Sequence, residues 1–407
     1  MHVANLDRSK KWGVWGYGIG GSSAVEFLCL QGIKPIVFDA KPFSEATCTQ
    51  LHNQGVTIAP SLEQFLKTCD VIIPSPGIDL RGYAQYAHKW LAELDLFMLF
   101  AQKPIIAVTG SLGKTTVTHT IGAVLQRAGK KVLVGGNIGI GLCSLLARQA
   151  GVDYIVLEVS SFQLELCTLF SPHVAVWTNF YPNHLDRHGT LEAYFAAKAN
   201  LLARQGVADH VIVWAELSEQ LHKLVTSPRH WRTVAEQGYA QNRCYVQAVM
   251  DALGIAVTVA DDEVGGSLEH RLEFVRQING IDFYNDSKST VPQATLAALD
   301  RLTGRPIILL LGGLSKGVDR RVLIAQLVGR VKMVICVGAE SAQLCAWCAL
   351  YGIPCEGGLQ FDESVKIAYT KGVSGDVVLL SPSGSSFDLF ANYQQRGVIF
   401  KQLVAAL

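Results

Sequence analysis

Val108-Thr-Gly-Ser-Leu-Gly-Lys-Thr-Thr116 stands directly after the apolar run Pro104-Ile-Ile-Ala-Val-Thr109. It precedes a stretch that reads as a helix over 115–128. A strand, a glycine-rich turn and a helix in that order form a phosphate cradle. Glycines let backbone N–H groups turn inward, and the helix N-terminus adds positive partial charge. Gly110, Ser111 and Gly113 would shape the turn, Lys114 would reach terminal phosphates, and Thr115 or Thr116 offers a hydroxyl to Mg²⁺. Gly110 lies only three residues before Gly113, so the full G-x-x-x-x-G-K spacing is absent, and a plain glycine turn is the alternative. The run Tyr154-Ile-Val-Leu-Glu158 places an acid at the end of a second strand, where ligands of open parallel sheets gather. A salt-bridged strand end is the competing reading of Glu158. After a third strand, Val174-Ala-Val-Trp177, the stretch Asn179-Phe-Tyr-Pro-Asn-His-Leu-Asp-Arg-His188 is expected to bring His184 to the same edge.

Strand-like and helical runs alternate on either side of this centre, the pattern of an α/β protein whose parallel sheets carry helices on both faces. Upstream, Lys11-Trp-Gly-Val-Trp-Gly16 leads into Gly16-Tyr-Gly-Ile-Gly-Gly21, and Asp39 ends the next strand about twenty residues later. That is a dinucleotide fingerprint in outline, and it serves a nicotinamide or another diphosphate such as a UDP-sugar equally well. Downstream, a third series starts near His270-Arg-Leu-Glu-Phe-Val275 and includes Ile307–Leu311, Val331–Val337 and Asp376–Leu380. The expected division is 1–102, 103–266 and 267–407, with the region 215–265 the least legible.

The chain has 407 residues, and its 35 Lys and Arg balance 34 Asp and Glu, so no global field favours nucleic acid or an anionic membrane. Apolar residues make up 49%, but no run approaches the ~20 residues of a spanning helix. The start of the chain lacks an export signal, and the expectation is a cytoplasmic monomer with no membrane insertion. Ten scattered cysteines suit reduced thiols, and Cys345-Ala-Trp-Cys348 reads as two residues on one packed helix.

Taken together, these motifs resemble the Mur ligases, over nearly the whole chain. The resemblance is carried by Gly16–Gly21, Ser75-Pro-Gly-Ile78, Thr109–Thr116 and Gly135-Gly-Asn-Ile-Gly139. Leu157-Glu-Val-Ser-Ser-Phe-Gln-Leu-Glu165, Asn183-His-Leu-Asp186, Lys198 and His270-Arg271 continue it. Asn285-Asp-Ser-Lys288, Leu311-Gly-Gly313 with Lys316, and Leu380-Ser-Pro382 to Gln395-Arg-Gly397 complete it. Ser160-Ser-Phe-Gln-Leu-Glu165 points most specifically to the branch that joins D-glutamate to UDP-N-acetylmuramoyl-L-alanine.

The resemblance implies an N-terminal Rossmann-like domain for UDP, a central P-loop ATPase-like parallel sheet, and a C-terminal Rossmann-like domain that closes over the site and brings the amino acid. It implies an ATP-dependent ligase that passes through an acyl phosphate. Lys114 would hold the β/γ-phosphates, Thr115 and Glu158 one Mg²⁺, and His184 a second. Lys198 takes the place of the family's carbamylated lysine, against the plain reading of an exposed lysine on a helix over 191–202. Gly18, Ile19, Gly20, Lys41, Ser75 and Gly77 would surround UDP, with Asn137 and Ser160 near the muramoyl-alanine chain. Arg271, Asp286, Lys288 and Lys316 would serve ATP, and Ser386, Phe387 and Tyr393 D-glutamate.

Leu112, Val291, Ser315 and Trp214-Ala-Glu-Leu217 depart from the family pattern. An L-alanine-adding or folate-directed ligase of the same superfamily, a nicotinamide oxidoreductase, and an inactive binding module remain the competing readings.

Overall fold

The computed structural model describes residues 6–224, 230–236, 238–260 and 269–407, apart from the side chains of 238–240 and 359. The expected boundary at 266/267 lies outside the described residues. Two compact units form, Met1–Phe180 with Thr190–Val264, and Tyr181–Gly189 with Gly265–Leu407.

The first unit holds two sheets. One is built from β1 (Trp12–Trp15), β2 (Ile36–Phe38), β3 (Thr57–Ile58) and β4 (Val71–Pro74) in the order β3-β2-β1-β4, all parallel. The chain order reverses beside β1, and an open sheet has its ligand crevice at such a switch, outside the carboxyl ends of the strands. The other contains β5 (Ile105–Thr109), β6 (Val132–Gly136), β7 (Tyr154–Glu158), β8 (Val174–Trp177), β9 (His210–Trp214) and β10 (His230–Val234). Its order is β10-β9-β8-β5-β7-β6, again all parallel. Every residue of β5 is buried, which is why that strand reads as an unbroken apolar run instead of an alternating one.

Helix Glu93–Phe100 joins the two sheets and carries a fixing point of its own. The buried Asp95 carboxylate accepts the N–H groups of Thr168 (2.7 Å), Leu169 (2.9 Å) and Phe170 (3.1 Å), and the Thr168 hydroxyl at 2.9 Å. Hydrogen bonds to a charged acceptor are worth about 1.5–3 kcal/mol each. This one acid therefore ties the connecting helix firmly to the segment leading into β8.

The second unit holds β11 (Glu273–Ile278), β12 (Ile281–Asn285), β13 (Ile307–Gly312), β14 (Met333–Val337), β15 (Cys355–Leu359) and β16 (Val377–Leu380), in the order β11-β12-β16-β13-β14-β15. One expectation is corrected here. The strand read from His270 begins at Glu273, and it pairs antiparallel with β12. His270 and Leu272 take positive φ (66° and 43°), so 270–272 form a turn, and a two-residue link at Asn279-Gly280 (φ 49° and 79°) folds β11 back as a hairpin. The remaining pairs are parallel. Among the described residues no helix is long and apolar enough to cross a membrane.

Candidate active site

β5 lies between β7 and β8, with Val108 level with Glu158 and Thr109 level with Trp177. The turn after β5 is thus flanked by the ends of both neighbours. Gly110 has φ +148°, and a Cβ on it would stand 2.0 Å from the Thr178 Oγ1, so glycine is required. Thr178 Oγ1 donates to the Leu112 carbonyl at 2.6 Å, and Asn179 holds both polar atoms of the same residue: its Oδ1 accepts the Leu112 N–H at 2.7 Å and its Nδ2 donates to the Leu112 carbonyl at 3.2 Å. With the Leu112 backbone gripped in this way, the apolar side chain at that position leaves the turn intact. Gly113 (φ +78°) precedes helix Lys114–Arg127, whose positive end faces the turn. Lys114 Nζ donates to the carbonyls of Gly110 (2.8 Å) and Ser111 (3.1 Å), which keeps the cation on the loop.

Glu158 is 3% exposed. Its Oε2 accepts the Thr115 hydroxyl at 2.6 Å, and its Oε1 accepts Asn137 Nδ2 at 2.9 Å. A carboxylate and a hydroxyl at the foot of a phosphate-type turn form a hard oxygen donor set, the kind that holds Mg²⁺ with one or two protein ligands and leaves the other positions to water and phosphate. No group of three or more His, Cys, Asp or Glu able to hold a metal occurs among the described residues.

Lys198, on helix Leu191–Ala199, is 1% exposed, contrary to the plain reading of a solvated lysine. Its Nζ donates to the Gly110 carbonyl at 3.0 Å and the Thr109 Oγ1 at 3.3 Å, and lies 4.8 Å from the Tyr194 ring centre. Burial first, and the neighbouring Lys114 second, hold its pKa well below the usual lysine range, with Glu158 opposing. The amine is therefore biased toward its neutral, nucleophilic form.

Residues to Phe180 belong to this first unit, and Tyr181–Gly189 groups with the second. His184 takes a left-handed conformation (φ 56°) just before helix Leu185–His188, and its N–H donates to Asn183 Oδ1 at 2.9 Å. The helix start rests on Gly317, where a Cβ would meet the Leu185 Cβ at 3.4 Å.

In the N-terminal sheet, Gly21 sits so close to the preceding turn that a Cβ would stand 1.9 Å from the Gly16 carbonyl oxygen. Ser75 Oγ donates to that same carbonyl at 3.1 Å. Asp39, the fingerprint acid, accepts the N–H groups of Tyr17 (2.7 Å) and Lys41 (2.8 Å), one on each oxygen, so it braces the loop. Ile19, Gly20 and Gly77 line a cavity of about 270 Å³ together with Asn137 and Ser160. Five residues expected around one substrate thus meet, while Gly18 and Lys41 are exposed outside the lining. Ser160 caps helix Ser161–Leu164 in a capping box with Gln163.

Glu93 also faces the cavity, and its burial pushes the carboxyl up to about 7, against hydrogen bonds from Ser23 and the backbone of Cys143 and Leu142. Sequence reading missed Glu93 because nothing local marks an acid at the start of an apolar helix. Thr178 and Asn179 had a usable signal, since they follow a strand beside β5.

In the second unit, Asp286 is buried and accepts the Leu272 N–H (3.1 Å) and the hydroxyls of Ser381 (2.8 Å) and Ser289. Burial raises its pKa, and Arg271 is the chief opposing influence. Lys288 and Tyr393 come together, with Nζ 5.3 Å from the ring centre. Arg396, missed as a site residue although it lies in the quoted Gln395-Arg-Gly397, is buried and donates to Ser287 Oγ (3.0 Å) and to the carbonyls of Ser287 (2.8 Å) and Gly384 (3.1 Å). It locks the segment before Tyr393 to the end of β12.

Lys316 has φ +54°, on a loop whose Ser315 N–H donates to Glu340 Oε1 at 2.8 Å. Glu340 also pairs at 2.5 Å with Arg320, which is fully buried and donates to the Gly312 and Gly313 carbonyls. Glu340, beyond the end of β14, thereby steadies the loop carrying Lys316. Ser386 is buried, whereas Phe387 is 70% exposed.

Comparison with known proteins adds three family matches: Mur ligase MurD-like N-terminal domain at 10–94, Mur ligase middle domain at 108–247, and Mur ligase glutamate ligase domain at 270–384. The UDP-N-acetylmuramoylalanine–D-glutamate ligase of Koribacter versatilis is 35% identical, over 98% of this chain and 97% of its own. That of Desulfotalea psychrophila is also 35% identical, over 99% and 97%. Among solved structures, the fold is similar to UDP-N-acetylmuramate-alanine ligase MurC of Thermotoga maritima (TM-score 0.60, 17% identity, 97% of this chain and 99% of that one). It is likewise similar to the MurF ligase of Thermotoga maritima in complex with ADP (TM-score 0.61, 17% identity, 92% and 96%).

Proposed function

The chain belongs to the Mur ligase family, and on that footing we propose that it is the ATP-dependent ligase that joins D-glutamate to UDP-N-acetylmuramoyl-L-alanine in peptidoglycan synthesis, giving ADP and phosphate. Asn137 is the residue that carries this reading. It donates to Glu158 at 2.9 Å and lines the cavity shared with Ile19, Gly20, Gly77 and Ser160. The carboxylate at the foot of the nucleotide turn is thus one side chain away from the cavity assigned to the UDP substrate. An enzyme that must bring a substrate carboxylate to a γ-phosphate needs this adjacency.

A carboxylate is a poor acyl donor until one of its oxygens leaves as phosphate. In the proposed sequence, the alanyl carboxylate attacks the γ-phosphorus, ADP leaves, and the D-glutamate amine then displaces phosphate from the acyl phosphate. Positioning and charge stabilisation do most of this work. Lys114 leaves its loop carbonyls to follow the β/γ-phosphates, and Gly110, Ser111, Gly113 and Thr116 complete the turn around them. Thr115 and Glu158 suit one Mg²⁺, which when bound would spread the charge of the phosphoryl group. His184 is assigned to a second ion.

Lys198, biased to the neutral amine, is suited to take up CO₂ and become an anionic carbamate, an oxygen ligand in place of an ammonium. Gly18, Lys41 and Ser75 are assigned to UDP with the cavity residues; Arg271, Asp286, Lys288 and Lys316 to ATP; and Ser386, Phe387 and Tyr393 to D-glutamate. The division 1–102, 103–266 and 267–407, a monomeric state and a cytoplasmic location are part of the same proposal.

Glu158→Gln tests the metal assignment. An amide keeps the shape and the bond from Thr115 but loses the charge that a hard cation prefers. The expected result is a Mg²⁺ titration of phosphate release shifted to higher concentration, about tenfold or more, with a lower plateau. An unchanged titration would return Glu158 to a structural role.

A further inference from the structure

Four of the ten cysteines, the Cys345/Cys348 pair with Cys336 and Cys355, gather in one layer of the second unit. Cys336 lies on β14 and Cys355 starts β15, with Val334 level with Cys355 and Cys336 level with Gly357, so both cysteines share a sheet face. Helix Ser341–Leu350 covers that face and contributes Cys345 and Cys348. Cys336 and Cys348 are fully buried, while Cys345 and Cys355 are half-buried. A Cβ on Gly357 would stand 2.4 Å from Cys345 Sγ, which shows that this sulfur reaches down onto β15. In return, Cys355 Sγ lies 3.6 Å from the Cys345 carbonyl oxygen. The four thiols are near enough to act on one another's ionisation, Cys355 with Cys345 and Cys348, and Cys348 with Cys336.

Buried thiols serve commonly as small apolar groups, and that suffices for Cys336 and Cys348. It does not explain two further thiols stacked at the open rim of the same cluster. Cys345 Sγ over Gly357 of β15 and Cys355 Sγ against the helix backbone place both rim sulfurs in the same gap between helix and strand, where a disulfide could close.

We propose that Cys345 and Cys355 form a reversible intramolecular disulfide on exposure to a low-molecular-weight disulfide such as oxidised glutathione. The thiolate of one rim cysteine attacks a sulfur of the glutathione disulfide, breaking its S–S bond to form a mixed disulfide and release one reduced glutathione. The second rim thiol, losing its proton to solvent, attacks the protein sulfur and releases the other. Two thiols are oxidised by two electrons, and one glutathione disulfide is reduced to two thiols. The link fastens helix Ser341–Leu350 to β15. That helix follows Glu340, which holds the Ser315 N–H and Arg320, so the constraint reaches the loop carrying Lys316.

The test is peptide mapping of the folded, full-length protein after treatment with oxidised glutathione, acid quenching, and alkylation of all remaining thiols under denaturing conditions. The expected result is a cross-linked peptide pair containing Cys345 and Cys355, two hydrogens lighter than the separate peptides and lost on reduction with dithiothreitol. Cys345→Ser and Cys355→Ser should each abolish it, leaving a glutathione adduct on the surviving partner. Cys336→Ser should retain it. Alkylation of all ten cysteines after treatment, adducts confined to the other six, or a Cys336–Cys348 link would each overturn the proposal. The wild-type map decides without any variant, so a substitution that impairs folding leaves the answer intact.

Discussion

Lys114→Ala is expected to abolish ATP-dependent phosphate release while leaving the protein folded. The side chain donates to two carbonyls of its own turn, Gly110 and Ser111, and the turn stands at a sheet edge outside the core. Its removal therefore costs little packing. A single cation aimed at charge that develops in the transition state is commonly worth 10²- to 10³-fold or about 2.7–4 kcal/mol, and a lysine on a transferring phosphoryl group belongs to that class. Phosphate release and the circular-dichroism melting curve, measured together, check this. Near wild-type turnover would sink the nucleotide assignment, whereas lost turnover with an early-melting protein would point to a structural role for Lys114.

Lys198→Ala should be as severe, for a different reason. The buried amine bonds the Gly110 carbonyl and the Thr109 hydroxyl, so alanine leaves a small void and loses two hydrogen bonds beneath the nucleotide turn. A cost of about 1–3 kcal/mol in stability is expected. If the amine acts only through these bonds, a small carboxylate has no function to restore. If Lys198 acts as a carbamate, acetate or formate should enter the void and return part of the activity, in a Mg²⁺-dependent manner. The same anions should do nothing for Lys114→Ala, whose defect is a missing cation. Absence of rescue in a folded Lys198→Ala protein would contradict the carbamate reading and leave Lys198 as a buried support for Gly110.

The parts of this site that are legible in sequence are local. Thr109–Thr116 joins a continuous apolar strand to a glycine turn and a helix, and each of those signals lies within a few residues of the next. Glu158 is legible for the same reason, as an acid ending an apolar strand. What escaped depends on long-range contact. Asn179 grips Leu112 from 67 residues away, and Lys198 reaches Gly110 from 88, so the helix pattern around Lys198 reads as an ordinary solvated face. Asp39 matches a ribose-binding acid by spacing, and the spacing does not show that its two oxygens also brace the loop through Tyr17 and Lys41. β11 was read as another parallel strand because apolar content does not reveal direction, which the positive φ values at Asn279 and Gly280 decide. The cysteine layer needs β14, β15 and a covering helix in place before four separate thiols become neighbours.

The most direct test of the central claim is phosphate release from ATP with UDP-N-acetylmuramoyl-L-alanine present and one amino acid added at a time: D-glutamate, L-glutamate, L-alanine or glycine. The account predicts release with D-glutamate, accompanied by a product heavier than the UDP substrate by one glutamyl residue, and only background with the other three. Release driven by L-alanine or L-glutamate in place of D-glutamate, or no response to any of them from a folded protein supplied with Mg²⁺, would contradict it.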